Sequence, residues 1–204
     1  MKNKCYREQI TEHDCGPTAF VNALIYLFNR DKIPAEVVRR VYEYTMDWPK
    51  SGSTSIVAMK MLANWLNLYK TKKFSISCEV IEGKDVIFKK KFLTQEDHSS
   101  CGILFVKFDR NHWHFITFLF EKDDFAYCFD PYPRLKLKSD SWEWMPEDSD
   151  GCNLKINLDY LNTKRSDKPF RAGKSEDRFF VLIKRRSKCK TRNSKQITRP
   201  QHNN

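Results

Sequence analysis

Glycine is scarce in this chain, six residues in 204, and the six are scattered. No glycine-rich loop is available to cradle a phosphate, so a nucleotide-dependent enzyme is not expected. Long apolar runs are missing as well: the longest, Phe115 to Phe120, is a strand's worth and far short of a membrane span. Met1 to Cys15 carries charges throughout and lacks the apolar stretch of a secretory signal, so a cytoplasmic address is the expectation. The seven cysteines, Cys5, Cys15, Cys78, Cys101, Cys128, Cys152 and Cys189, are odd in number and thinly spread. None stands in a Cys-x-x-Cys pair or at finger-like spacing to a histidine. Reduced thiols are therefore expected, with neither a disulfide scaffold nor a structural metal, and nothing calls for a cofactor.

What is present is enough for one ordinary domain. Hydrophobic residues make up 40% of the chain and aromatics 14%, sufficient for a real core at this length. The net charge of +11 looks like a nucleic-acid signal until it is located. Lys184, Arg185, Arg186, Lys188, Lys190, Arg192, Lys195 and Arg199 follow one another with no acid among them; removing these eight positives leaves +3 for the rest. The reading is a mildly basic domain over 1–186 and a polar, basic, disordered tail over 187–204. Such a tail is usually a solvated terminus; its alternative use is contact with nucleic acid or an acidic membrane surface. There is no internal repeat, and the sequence does not set the oligomeric state.

Helices come first. Ala19, Phe20, Ala23, Leu24, Leu27 and Phe28 recur at three- and four-residue steps, which predicts a helix over 16–28 with one buried face. Asp14 is placed to cap it and Pro17 suits its first turn. A second helix is predicted from Pro34 to about Met46, with Val37, Val38, Val41 and Tyr44 inward and Pro49 ending the region. A third runs from Thr54 to Leu68, opened by Ser51-Gly52-Ser53-Thr54, with Val57, Met61, Leu62, Trp65 and Leu68 on its inner side. After Tyr69 the texture becomes β-branched and aromatic in short runs. Strands are predicted at 74–81, 103–108, 113–120, 125–129 and 178–184. Between Ser139 and Glu176, Pro146, Gly151, Pro169 and Gly173 interrupt a polar stretch, read as loops with one short element around 154–161. Helices followed by an antiparallel sheet make an α+β order.

Cys15 precedes the first helix, where the positive end of the helix dipole stabilises a thiolate. A lone cysteine in such a place is more often a small buried apolar residue, so its company decides. Gln9, six residues upstream, offers an amide that can donate to the oxyanion of a tetrahedral intermediate alongside the Cys15 N–H. A thiol also needs a base. Of His13, His98, His112, His114 and His202, only His112 and His114 fall on a strand, and period-two alternation puts both on one face with Ile116, Phe118 and Phe120. The polar Glu121 to Asp124 reads as a hairpin tip. A three-residue loop over 121–123 pairs Phe120 with Asp124 and sets His114 opposite Asp130; a two-residue loop at 122–123 turns Asp130 to the other face. A site built from His114 and Asp130 thus requires an odd loop or a bulge. His112 would meet Asp130 only with Phe120 exposed at the tip, so register favours His114 and keeps His112 as the alternative. Pro131 biases Asp130 to an extended backbone from which its carboxylate can orient an imidazole, although an aspartate before proline is commonly just a turn residue.

These residues carry a resemblance. Gln9 to Ala19, QITEHDCGPTA, resembles the nucleophile motif of the peptidases that trim double-glycine leaders from bacteriocin precursors, and of the wider papain-like cysteine peptidases around them. His114 to Phe118, HFITF, resembles that family's histidine strand, and Phe129-Asp130-Pro131 its Asp-Pro ending one hairpin later. The resemblance spans Gln9 to about Pro133. It implies a papain-like α+β fold and a cysteine peptidase in which Cys15 is nucleophile, His114 general base and then acid, Asp130 its orienter and Gln9 the oxyanion donor. A peptide or protein is then the substrate. The chain departs from the transporter-linked members in lacking membrane and ATPase modules, so leader peptides do not follow as substrates. Two further readings stay open: an acyltransferase or transpeptidase using the same triad, and a catalytically idle scaffold that binds through the basic tail. Trp142, Trp144 and Met145 anchor a loop or line a cleft.

Overall fold

The computed structural model describes residues 6–47, 53–88, 93, 98–109, 112–132, 138–145, 151–164 and 169–186. The tail over 187–204, Cys5, Cys189, Pro49, Pro146 and the Ser51-Gly52 part of the expected helix opening lie outside these residues.

The chain folds as α+β. Three helices, α1 (Cys15–Leu27), α2 (Ala35–Thr45) and α3 (Ile56–Leu68), precede strands β1 (Ile76–Glu82), β2 (Ser100–Lys107), β3 (Trp113–Lys122) and β4 (Phe125–Phe129). Then follow β5 (Lys138–Ser139), β6 (Trp142–Trp144), β7 (Leu154–Asn157), the single turn α4 (Leu158–Leu161) and β8 (Phe179–Arg185). The strands form one antiparallel sheet in the order β1-β8-β2-β3-β4-β7-β6-β5, whose last member is only two residues long. β8 inserts between β1 and β2, so residues 76 to 109 positions apart pair within the sheet.

Both faces of the sheet are covered, which is why its central strands carry nearly continuous apolar runs. On one face Phe115, Leu119, Phe129, Phe179, Val181 and Ile183 pack with the helices. On the other, Leu104, Val106, Ile116, Phe118, Phe180 and Leu182 pack under Val86, Phe88, Leu158, Leu161 and Phe170. Buried Arg178 fastens that second layer, donating to the carbonyl oxygens of Gly173 (3.2 Å), Val86 (2.9 Å) and Asn162.

α1 is buried on every side from Gly16 to Leu27, not on one face alone, because it lies between the sheet and α2. α3 turns differently from the expectation. Ser55 caps it by accepting from Ala58 N at 3.0 Å, and Ala58, Met59, Leu62, Ala63 and Leu66 are buried. Val57, Met61 and Leu68 are exposed instead. In a helix that is apolar nearly all round, the stripe holding the two alanines goes inward because small side chains let the helix approach α2 and β1 closely. The one short element expected around 154–161 is β7 followed by α4, and the stretch before it, expected as loops, also holds β5 and β6. Their short runs, Lys138–Ser139 and Trp142–Trp144, extend the sheet beyond β7 and carry too few residues to show a period.

The β3–β4 hairpin settles the parity question raised by the sequence. Its turn is the two-residue pair Asp123 and Asp124, both at positive φ (51° and 64°), as a tight turn matched to strand twist requires. The three-residue loop over 121–123 is therefore not formed. Phe120 pairs with Tyr127, and the register shifts at a bulge between Phe118 and Phe120. Beyond the bulge Phe118 faces Cys128 and Thr117 faces Phe129. Continuing that ladder by one residue sets Asp130 across from Ile116, on the face His114 shares. Without the bulge Asp130 would turn away.

Candidate active site

Cys15 opens α1 and is half-buried and free, whereas Cys78, Cys101, Cys128 and Cys152 are buried. Burial pushes the Cys78 thiol up to about 12 and Cys128 likewise upward, so both stay protonated and inert. Gly16 makes the helix start approachable. A Cβ there would lie 2.1 Å from Thr54 Oγ1, so only glycine lets the chain before α3 lie against this end of α1. Pro17, in the first turn, lacks only an N–H that no helical carbonyl needs.

Asp14 occupies the N-cap position but does not cap. Its buried carboxylate turns back, accepting from Ile10 N (3.1 Å), Thr11 N (2.8 Å) and Thr11 Oγ1 (2.8 Å). The loop ahead of the helix presents three donors at once, and they outcompete the helix N–H groups for one carboxylate. The consequence is a tight loop that returns Gln9 toward Cys15. Gln9 N donates to Pro131 O at 2.8 Å, so Gln9 is tied directly to the segment that carries Asp130. Its side chain is buried and lines the same cleft as Cys15. One Nε2 hydrogen goes to Thr11 O (2.7 Å), which leaves the second for another acceptor, while Oε1 is buried without a partner.

His114 lies near the start of β3 and is 4% exposed; Asp130 is fully buried. His114 Nε2 and Asp130 Oδ1 are 2.6 Å apart, with the ring nitrogen donating to the carboxylate. Nδ1 is then left for the cleft side, where Cys15 stands close enough to favour the charged ring. Burial alone would push the imidazolium down. The Asp130 charge and hydrogen bond, followed by Cys15, outweigh it and hold His114 up at about 9. The ring is boxed edge-on by Phe108 (5.5 Å) and Tyr132 (6.5 Å), which pack against each other at 5.3 Å.

His112 does not compete for this role. It is exposed, and its Nδ1 meets Asp109 Oδ2 at 2.8 Å on the cleft's rim, away from Asp130. His13 stands on the same rim with Nδ1 3.3 Å from Ser53 Oγ. His98 packs against Tyr26 at 4.9 Å. Cys15, His114 and Gln9 face one cleft of about 710 Å³, with Asp130 directly behind the imidazole. Trp142 is buried against Phe170 (5.0 Å) and Met145 packs on the core, so these two anchor the segment rather than line the cleft.

Several supporting residues escaped the sequence reading. Asn153 Oδ1 accepts from Asp130 N (2.8 Å) and its Nδ2 donates to Asp130 O (2.9 Å), so one buried side chain clamps both main-chain groups of that residue. Asn22 does the same for Arg7, two residues before Gln9, with both bonds at 2.8 Å. Asn67 and Asn162 repeat the device on Cys78 and Phe88. In each case one asparagine amide meets both main-chain groups of a residue as a strand neighbour would, and at Asp130 it continues the β4–β7 pairing beyond Cys128. An asparagine inside a predicted helix was the available signal, since Asn22 interrupts the apolar run of α1; nothing local marks Asn153.

Among the described residues, no cluster of histidine, cysteine and acidic side chains could hold a metal ion, and no helix is long and apolar enough to cross a membrane. No model of a known protein family matches the chain, and a search of curated proteins finds no match.

Proposed function

We propose that the chain is a papain-like cysteine peptidase hydrolysing a peptide or amide bond through Cys15, His114 and Asp130. One observation carries the reading: a half-buried thiol at a helix N-terminus shares an imidazole with a buried carboxylate at the floor of an open cleft. The supporting architecture is a helix bearing the nucleophile packed on an antiparallel sheet bearing base and acid, the arrangement the QITEHDCGPTA resemblance implies.

In this mechanism His114 is an imidazolium at neutral pH and Cys15 attacks as the thiolate. The sulfur bonds to the carbonyl carbon and the C=O electron pair moves to oxygen. The Cys15 N–H and the second Gln9 Nε2 hydrogen donate to that oxyanion. As it collapses, the C–N bond breaks and His114 gives its Nδ1 proton to the leaving amine. His114, now neutral, takes a proton from water, whose oxygen bonds to the thioester carbon; the C–S bond then breaks, the acid is released and the Cys15 thiolate is restored. Asp130 keeps the Nε2 hydrogen throughout and holds the ring's orientation.

The test is labelling with an electrophilic peptide library, followed by mapping of the modified residue. The proposal expects Cys15 alone to be modified and Cys15→Ala to abolish both labelling and turnover. Turnover undiminished in Cys15→Ala removes it. Candidate amines added to the same reaction separate hydrolysis from acyl transfer by the mass of the released product.

A further inference from the structure

We propose that the cleft selects peptides carrying a large apolar, uncharged side chain within two residues of the scissile carbonyl, rather than a small-residue junction. The inference rests on Cys15 being the nucleophile and adds the class of substrate it meets.

The aromatic lining of the cleft is the observation. Phe105, Phe108, Trp113 and Tyr132 are each half-buried and face the cleft that Cys15 and His114 share, and Ile56 faces it from the start of α3. Half-buried aromatics that converge on one cavity leave apolar surface in water, and a ligand that covers it is bound by what it removes from solvent. The wall is also rigid. Phe105 and Trp113 stack at 4.6 Å and 11°, and Lys107 Nζ sits 4.2 Å from the Trp113 ring centre. Gly173 is pressed so closely to the indole that a Cβ there would lie 2.8 Å from it. A wall fixed before binding cannot collapse onto a glycine, so a glycine substrate leaves it wet while a leucine or phenylalanine covers it. Charge points the same way. Glu12 and Asp109 line the cleft, and among its described lining residues there is no lysine or arginine, in a chain of net +11. The His114 imidazolium that lines the cleft is already paired with Asp130, so an acidic side chain gains little to offset its desolvation.

Two probe series test this on the whole chain: acetyl-Ala-Ala-Xaa and acetyl-Ala-Xaa-Ala fluoromethyl ketones, with Xaa as Gly, Leu, Phe or Asp. The thiolate sulfur displaces fluoride, and second-order rates are read by intact mass, with iodoacetamide as the size-independent reference. In at least one series Leu or Phe is expected to react at least about 10-fold faster than Gly, with Asp slowest, the discrimination a few buried methylenes give. Phe105→Ala and Trp113→Ala should each bring the Leu-to-Gly ratio down to about 3 or less. If both series are flat or favour Gly while iodoacetamide still modifies Cys15 in a His114-dependent way, the substrate class is overturned and the nucleophile stands. If iodoacetamide spares Cys15, both fall.

Discussion

Asp130→Asn isolates the charge behind the imidazole, because asparagine keeps the size and the Oδ1 acceptor that His114 Nε2 and Tyr132 N use (2.6 and 2.9 Å). In the native chain the ring is held at about 9 against its ordinary 6.5, with burial opposing and Asp130 overcoming it. That separation corresponds to about 3 kcal/mol of preference for the charged ring at a fully buried site. With the carboxylate gone, burial is left nearly unopposed, and the midpoint should fall to 6.5 or below. Long-range ¹⁵N–¹H NMR of labelled imidazoles across pH 5 to 10 reads it directly. Stability follows the same thermodynamics. The folded-state midpoint lies above the unfolded one, so the stabilisation is complete below pH 6.5 and is lost as pH rises through about 9. Urea unfolding should therefore show the native chain's advantage over Asp130→Asn shrinking by about 3 kcal/mol between those limits. A variant midpoint still above about 8, or an advantage that does not change with pH, refutes the reasoning.

Asn153→Ala removes both bonds to the Asp130 main chain and leaves those groups buried, so chemical denaturation should show a loss of about 2 kcal/mol or more. The His114 midpoint should fall with it as the carboxylate loses its fixed position. Gly16→Ala drives a methyl into Thr54 at 2.1 Å and should cost about 1–3 kcal/mol; adding Thr54→Gly should restore the loss, as thermal melts would show. Asn22→Ala releases Arg7 on the approach to Gln9, and it should lower peptide turnover while leaving the rate of iodoacetamide at Cys15 within about 3-fold of native.

The elements legible in the sequence were those with enough residues to show a period. α1, α2 and the long strands appear within two or three residues of where the pattern sets them, and β4 over 125–129 to the residue. α3 was found but turned wrongly, because with apolar residues on several sides its inward stripe is chosen by the neighbours' shape and not by hydrophobicity. β5 and β6 are too short for any period, and they exist because β7 supplies a ladder. At the site, Cys15, His114, Asp130 and Gln9 could be nominated from spacing, and a bulge was one of two ways to bring His114 and Asp130 to one face. The choice between bulge and odd loop lay in the Asp123-Asp124 turn, whose left-handed pair only the backbone reveals. The Asn153 and Asn22 clamps depend on contacts 23 and 15 residues away, which no local pattern carries.

The most direct test of the thiol–imidazole site is the rate at which iodoacetamide alkylates Cys15 at pH 7 in the native chain and in His114→Ala, located by peptide mass mapping. Cys15 should react ahead of Cys78, Cys101, Cys128 and Cys152, and loss of the imidazole should slow it at least about 10-fold. Equal rates in the two proteins, or a faster reaction at any of the buried cysteines, would contradict the account.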